Sequence, residues 1–370
     1  MKILFVGNGN TPSTFIKRRI NALRREGVQC YSPRENAVSV KTLIALIFSK
    51  PSRFFFILKI ISLIKNKSLK VKISTAIKYV DYIKNRPDII HFQWISHVAS
   101  FEWLINYFEV PVVASVRGSM VTIYPNNNPQ YLKTLQKSFG LSDYIHCVSN
   151  SLRDVCIQNY NVDADKVFTN YNGIDTDRFI PSTSIEKNED FNLITVGSLI
   201  WRKGVLFQLL VLKALSDLPI KLFVIGAGED EFKLRYQLKV LEIEDKVVFL
   251  GNKSEIEVIQ KLQEADVYVS TSIAEGLSNS VLEAAAIGLP VVAFECEGMH
   301  EVIKNNETGY IVPFSDVHAM SNCIRSLYND RNTLSRLGEK ARNHVVSNFD
   351  IKDHVNKMIH LYTNFLESDG

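Results

Sequence analysis

A chain of 370 residues exceeds what one hydrophobic core usually serves, so two domains of roughly 150–200 residues each are expected. At 46% hydrophobic and 22% charged residues the composition is that of a soluble globular protein. A net charge of +4 does not make a generally basic protein, so no nucleic-acid partner is expected, and five scattered cysteines (Cys30, Cys147, Cys156, Cys296, Cys323) suit neither a zinc site nor a disulfide framework.

The chain opens on MKILFVGNGN, one Lys and a short apolar run that turns into a glycine loop rather than a secretory signal. Gly7-Asn8-Gly9 lacks the third glycine of GxGxxG, so a dinucleotide fingerprint is weak here. Residues 7–10 are expected to wall the acceptor side of a cleft, and a helical pattern follows over 14–26. Residues 36–80 then hold nine basic residues and no acid, so this stretch carries +9 and the rest of the chain −5. Charge this uneven points to an anionic partner for one patch. Within it, residues 51–70 (PSRFFFILKIISLIKNKSLK) place Phe54, Phe56, Ile57, Ile60, Ile61, Leu63 and Ile64 on a broad helical face, with Lys59, Ser62, Lys65 and Asn66 roughly opposite. Such a helix either lies on an anionic membrane surface or covers a sheet with its apolar face; burial explains the Phe and Ile residues but not nine bases without an acid.

Short apolar, β-rich runs alternate with helical patterns along the whole chain. Residues 2–7, 88–92, 110–116 and 144–149 read as buried strands, as do 192–197, 221–226, 246–250, 265–270 and 290–294. Helical patterns cover 205–216, 229–241 and 279–287, and an amphipathic pattern with Val355, Met358, Ile359, Tyr362 and Phe365 closes the chain over 350–365. This alternation predicts an α/β fold with parallel sheets covered on both faces. Glycines mark the β-to-α turns: Gly7 and Gly9, Gly197, and Gly226 with Gly228. Residues 181–190 (PSTSIEKNED) break the rhythm and read as a linker between doubly wound domains at 1–180 and 191–349, with the helix at 350–370 able to cross back to the first. No run approaches 20 apolar residues, so no transmembrane helix and a cytoplasmic location are expected.

The most informative phrase is STSIAEGLSNSVLEAAAIGLP, residues 270–290. A strand ends near Ser270, a short loop presents Glu275 and Gly276, and a helix starts around Ser278 to Ser280. Ligands of open parallel sheets sit at this carboxyl edge, and a helix start offers free N–H groups to a diphosphate. Glu283, one helical turn in, suits ribose hydroxyls, and Glu275 suits the hydroxyls of a sugar. Taken alone, the two glutamates read equally well as first-turn helix carboxylates; the whole phrase sets them apart.

That phrase resembles the retaining GT-B glycosyltransferases of family four (glycosyl transferases group 1), which use nucleotide sugars and carry two glutamates separated by seven residues, as in EGLSNSVLE. EAAAIGLPVVAF, Glu301 with the GYIVP of residues 309–313, VGSLIWRKG, VIGAGED, VVFLGN and YNGIDTDRF match the family in order, over almost the whole chain. TFIKRRINALRREG is similar to the first helix of a subgroup that assembles bacterial exopolysaccharide, lipopolysaccharide or capsule. The resemblance implies two Rossmann-like domains, the N-terminal one binding a glycan or lipid-linked acceptor and the C-terminal one the nucleotide diphosphate sugar. It implies a metal-independent hexosyltransferase without a cofactor, and the anionic inner face of the plasma membrane is the partner expected for the basic residues 36–80. It places Lys203 on the donor diphosphate, Glu275 on the transferred sugar, Glu283 on the ribose, and backbone amides of Gly276 and Leu277, beside Ser278, on the phosphates, with Gly226 and Gly7 at the glycine turns.

Two positions depart from the family pattern. Ser198 stands where an Arg usually follows the glycine of the first C-domain strand, and Arg202 is the candidate to supply that charge. Arg117, in SVRGSM, stands where a His-Gly is common, as a catalytic candidate holding donor or acceptor or as a loop Arg paired with a surface carboxylate. His91 and His97 read as structural. No Asp-x-Asp, Ser-His-Asp or Cys-His arrangement appears, so no metal is expected. An epimerase of the same fold and a non-catalytic subunit of a polysaccharide-assembly complex are the alternatives.

Overall fold

The computed structural model describes residues 1–7, 13–36, 39, 41, 44, 52–65, 67–182 and 191–368. The expected linker at 183–190 and the expected acceptor wall at Asn8–Asn10 lie outside these residues, as does Lys50 of the basic stretch.

The chain forms two compact units. The first comprises residues 1–148, 153–170 and 355–370, and the second residues 149–152 and 171–354. The division therefore does not fall at residue 180. Residues 171–180 join the second unit because Ile174 pairs with its end: Ile174 N–H donates to Phe349 O at 2.8 Å, and Ile351 N–H to Ile174 O at 2.9 Å. The closing helix Ile351–Ser368 contributes its later turns to the first unit, where Val355, Met358, Tyr362 and Phe365 are buried and Phe365 stacks on Tyr144 with centroids 3.6 Å apart.

The first unit holds β1 (Lys2–Val6), β2 (Gln29–Tyr31), β3 (Ile89–Phe92), β4 (Val112–Val116), β5 (Tyr144–Cys147) and β6 (Val167–Thr169), all parallel in the order β2-β1-β3-β4-β5-β6. The second holds β7 (Phe191–Val196), β8 (Ile220–Ile225), β9 (Val247–Gly251), β10 (Val267–Ser270), β11 (Val291–Phe294) and β12 (Gly309–Val312), again parallel, in the order β12-β11-β10-β7-β8-β9. Helices cover both faces, which is why β3, β4, β10 and β11 are buried at every position and read as continuous apolar runs. Direction reverses between β1 and β3 in one sheet and between β7 and β10 in the other. Open sheets of this kind bind ligands at that switch point, outside the carboxyl ends of the strands.

One device recurs in both units. An Asp one residue ahead of a strand accepts an N–H from the first or second residue of the neighbouring strand: Asp88 from Lys2 at 2.7 Å, Asp143 from Val112 at 2.8 Å, and Asp266 from Asn192 at 2.8 Å. Asp266 is 3% exposed and also takes Arg331 Nη1 at 2.8 Å. These charge-assisted bonds satisfy a donor at the strand's start and fix register in β1, β4 and β7.

Candidate active site

In the second unit the loops after β7 and β10 meet at the switch point. Gly204 makes the meeting possible: its φ is +61°, and a Cβ there would stand 2.2 Å from Thr271 O. Thr271 Oγ1 donates to Gly204 O at 2.9 Å, and Ile273 N–H donates to Arg202 O at 2.8 Å. The short helical turn Trp201–Lys203 is thereby laced to the loop that leads to Glu275. Between them lies a narrow crevice whose walls include Gly197, Ser198, Lys203, Tyr268, Ser272 and Ser280.

The crevice is organised by an ion pair across 72 positions of sequence. Lys203 Nζ bonds Glu275 Oε1, and Ser272 Oγ donates to the same carboxylate oxygen at 2.9 Å. The Lys203 stem runs along Gly197, where a Cβ would come within 3.3 Å of its Cε. Burial lowers the Lys203 pKa, but the attraction of Glu275 and its hydrogen bond outweigh burial, so the ammonium ends above its usual value; Arg202 pulls the other way. Glu275 is 9% exposed. Its charge also acts on Cys296, whose thiol is pushed up to about 12 by burial first and then by Glu275 and Glu297, which makes it a neutral neighbour and not a nucleophile.

The remaining second-unit candidates surround this pair. Gly276, Leu277 and Ser278 are buried and run into the helix Asn279–Ala286, where Ser278 makes no side-chain cap bond. Glu283 is half-buried on that helix, and its charge helps to raise the pKa of the buried phenol of Tyr268, an effect led by burial. Tyr268 Oη lies 3.2 Å from both N and O of Val196 and pins the end of β7. Gly226 has φ +133°, and a Cβ there would fall 1.9 Å from Gly197 O, so its role is close approach of the β7 and β8 turns. Arg202 is half-buried beside Lys203, and Ser198 is exposed on the crevice wall.

Gly7 and Arg117 belong to the first unit, at its own switch point. Gly7 ends β1 with φ +86°, where a Cβ would stand 2.6 Å from His97 Nδ1. Arg117 is half-buried in the turn after β4. Its Nε donates to Gln93 O at 2.9 Å and its Nη2 to Gln93 Oε1 at 3.1 Å, with the Phe15 and Trp94 rings 5.1 and 5.7 Å from the guanidinium. His91 is buried in a proton-ordered chain. His146 Nε2 faces Asn170 O at 2.7 Å, so its Nδ1 accepts from Ser115 Oγ at 2.8 Å; Ser115 accepts from His91 Nε2 at 2.7 Å, and His91 Nδ1 takes the Tyr362 hydroxyl. Burial, then Arg19, His146 and Arg117, hold the His91 pKa well below its usual value.

Sequence reasoning missed Ser272 as a partner of Glu275 and the work of Glu301. Glu301 accepts the N–H groups of Asn150 and Ser151 at 2.9 and 3.0 Å and the Tyr171 hydroxyl at 2.8 Å, so it caps the helix Asn150–Tyr160. The only sequence signal was its place after the GLPVVAF strand. Among the described residues, no group of three His, Cys, Asp or Glu side chains is placed to hold a metal ion.

Residues 177–344 match the family described as glycosyl transferases group 1, and residues 14–178 match glycosyltransferase family 4. The two glycosyltransferase models together span residues 14–344, and the architecture is that of the GT-B fold. The UDP-Gal:alpha-D-GlcNAc-diphosphoundecaprenol alpha-1,3-galactosyltransferase of Escherichia coli is 27% identical to this chain over 235 residues, so the chain spans only 60% of that relative's length. The N-acetyl-alpha-D-glucosaminyl L-malate synthase of Bacillus anthracis is 24% identical over 293 residues, 76% of each chain. Solved structures share the fold of this chain along almost its whole length. HepE of Anabaena, in complex with UDP and glucose, superposes with a TM-score of 0.76 at 15% identity, covering 98% of this chain and 100% of that one. Sucrose-phosphate synthase from Thermosynechococcus elongatus gives 0.79 at 16% identity, covering 99% of both.

Proposed function

We propose that the protein moves a hexose-type sugar from a UDP- or GDP-sugar, with retention of anomeric configuration, onto a cell-envelope glycan or lipid-linked acceptor. The observation that carries this reading is the Lys203–Glu275 pair at the switch-point crevice, beside the start of the helix Asn279–Ala286. Each group neutralises the other. A donor diphosphate offers Lys203 a second anionic partner and releases Glu275 to accept hydroxyl donors from the sugar, while Glu283 takes the ribose. Charge builds on the leaving diphosphate in the transition state, and Lys203, Arg202 and the backbone amides around Gly276 and Leu277 supply fixed positive ends for it without a metal. The reacting faces suit front-face displacement, with the leaving phosphate drawing the proton from the acceptor.

The relatives support an envelope acceptor. The E. coli enzyme is named for a diphosphoundecaprenol acceptor, and a further E. coli relative, 25% identical over 251 residues, is named a putative colanic acid biosynthesis glycosyltransferase. A peripheral place on the inner face of the plasma membrane is supported by the helix Ser52–Leu63. Ile57 and Ile60 are buried, yet Phe54, Phe55 and Leu58 are exposed beside Lys59, and Leu69 and Val71 are exposed near Lys65, Lys67 and Lys70. A thermal-shift panel of nucleotide sugars tests the donor class: one UDP- or GDP-sugar should raise Tm in a concentration-dependent way, and Lys203→Ala should abolish the rise. A flat panel across all nucleotide sugars would contradict the proposal.

A further inference from the structure

Two buried side chains of the first unit carry donors that no described residue meets. Arg19, on the helix Thr14–Arg25, is 3% exposed and donates Nη2 to Gln93 Oε1 at 2.7 Å. That same oxygen accepts from Arg117 Nη2 at 3.1 Å, so one neutral amide serves two cations. Arg19 Nη1 and Gln93 Nε2 are fully buried and have no hydrogen-bond partner among the described residues. Burial lowers the Arg19 pKa, and Tyr362, not a carboxylate, is what opposes it. An unmet buried donor costs about 1–3 kcal/mol, and more when it is charged. The three residues stand at the carboxyl edge of the sheet: Gln93 follows β3, Arg117 follows β4, and Arg19 lies on the helix after β1. This is the edge where open parallel sheets bind ligands. Arg117 keeps part of its surface open, while Phe15 and Trp94 flank its guanidinium.

We propose that Arg19, Gln93 and Arg117 form a binding site for an oxyanion, a phosphoryl group in preference to a carboxylate. Two guanidinium forks converge on the Gln93 amide oxygen and the NH2 of the same amide adds a third donor group, and a phosphoryl group has enough oxygens to take a bond from each where a carboxylate has two. Naming that anion as the charged group of the acceptor rests on the transfer reading above; the site itself does not.

Inorganic pyrophosphate is the probe, titrated calorimetrically into the full-length chain and four variants. Lys203→Ala should lose any binding at the second-unit crevice and keep one site. Arg19→Met and Arg117→Met should weaken that remaining site at least tenfold. Gln93→Glu supplies a built-in carboxylate between the two arginines, so it should melt several degrees higher than the wild type while binding pyrophosphate at least tenfold more weakly. Geranyl diphosphate and glucose 6-phosphate, competed against pyrophosphate, separate a lipid-linked source from a soluble sugar phosphate, and malate at equal concentration should compete least. Wild-type pyrophosphate affinity in both Gln93→Glu and Arg117→Met would overturn the proposal, whether or not the protein turns over a nucleotide sugar. Loss of turnover with this site intact would instead count against the transfer reading.

Discussion

At the scale of single residues, Glu275 is both a binding group and one half of a buried pair. Reading the sequence alone, one expects Glu275→Ala to abolish transfer with little effect on folding. The bond to Lys203 changes that expectation, because a truncated partner leaves an ammonium whose environment is set by burial. Breaking a buried pair costs about 3–5 kcal/mol, less where water still reaches it, so Glu275→Ala should melt well below the wild type. Glu275→Gln keeps an acceptor for Lys203 and Ser272, and should stay folded while turnover falls at least a hundredfold. Melting curves and initial rates on the two variants check this, and normal turnover in Glu275→Gln would sink the assignment. His91 gives a pH prediction. Its depressed pKa means the unfolded chain binds a proton that the native chain refuses, so its contribution is fully present above about pH 6.5 and is lost as pH falls below it. Denaturant titrations at pH 7.5, 6.5 and 5.5 should show a stability decline that His91→Gln shrinks.

At the scale of elements, strands surrounded by helices were legible as apolar runs, whereas β2 and β6 were not. Each has three residues at a sheet edge, too few for any periodicity to register. The helix Ser52–Leu63 shows a different limit. Its sequence is apolar around most of its circumference, so pattern alone could not divide the buried face from the outward one. Replacing Phe55 and Leu58 together with Ser should leave the melting temperature close to wild type, because both are exposed. In a flotation assay the pair should lose binding to anionic liposomes at low salt; equal flotation of variant and wild type would remove the membrane reading. The loop after β7 makes the complementary case. Gly204→Ala must adopt a left-handed backbone at about 1–2 kcal/mol and collide with Thr271 O. It should lower Tm and weaken donor binding together, since the same turn presents Lys203.

At the scale of the whole molecule, the alternation of strand and helix, the glycine turns and the Glu275-to-Glu283 phrase were enough to give a GT-B fold and to point at one crevice. What sequence could not give is pairing at a distance. Lys203 with Glu275, Arg19 with Gln93, and Asp266 with Asn192 lie 72, 74 and 74 positions apart, and each depends on how β–α units stack rather than on local spacing. The boundary between units was missed for the same reason, since residues 171–180 are claimed by a contact with Phe349 and Ile351. The central claim is that this crevice activates a nucleotide sugar. It is tested most directly by incubating the protein with the UDP- and GDP-sugars that shift its melting temperature, with and without lipid-linked acceptor, and following the anomeric proton by NMR. Acceptor-dependent release of nucleoside diphosphate, with the donor's anomeric configuration kept in the product and lost activity in Glu275→Gln, is the expected result. Conversion of the donor to a second nucleotide sugar, or an inverted product, would contradict it.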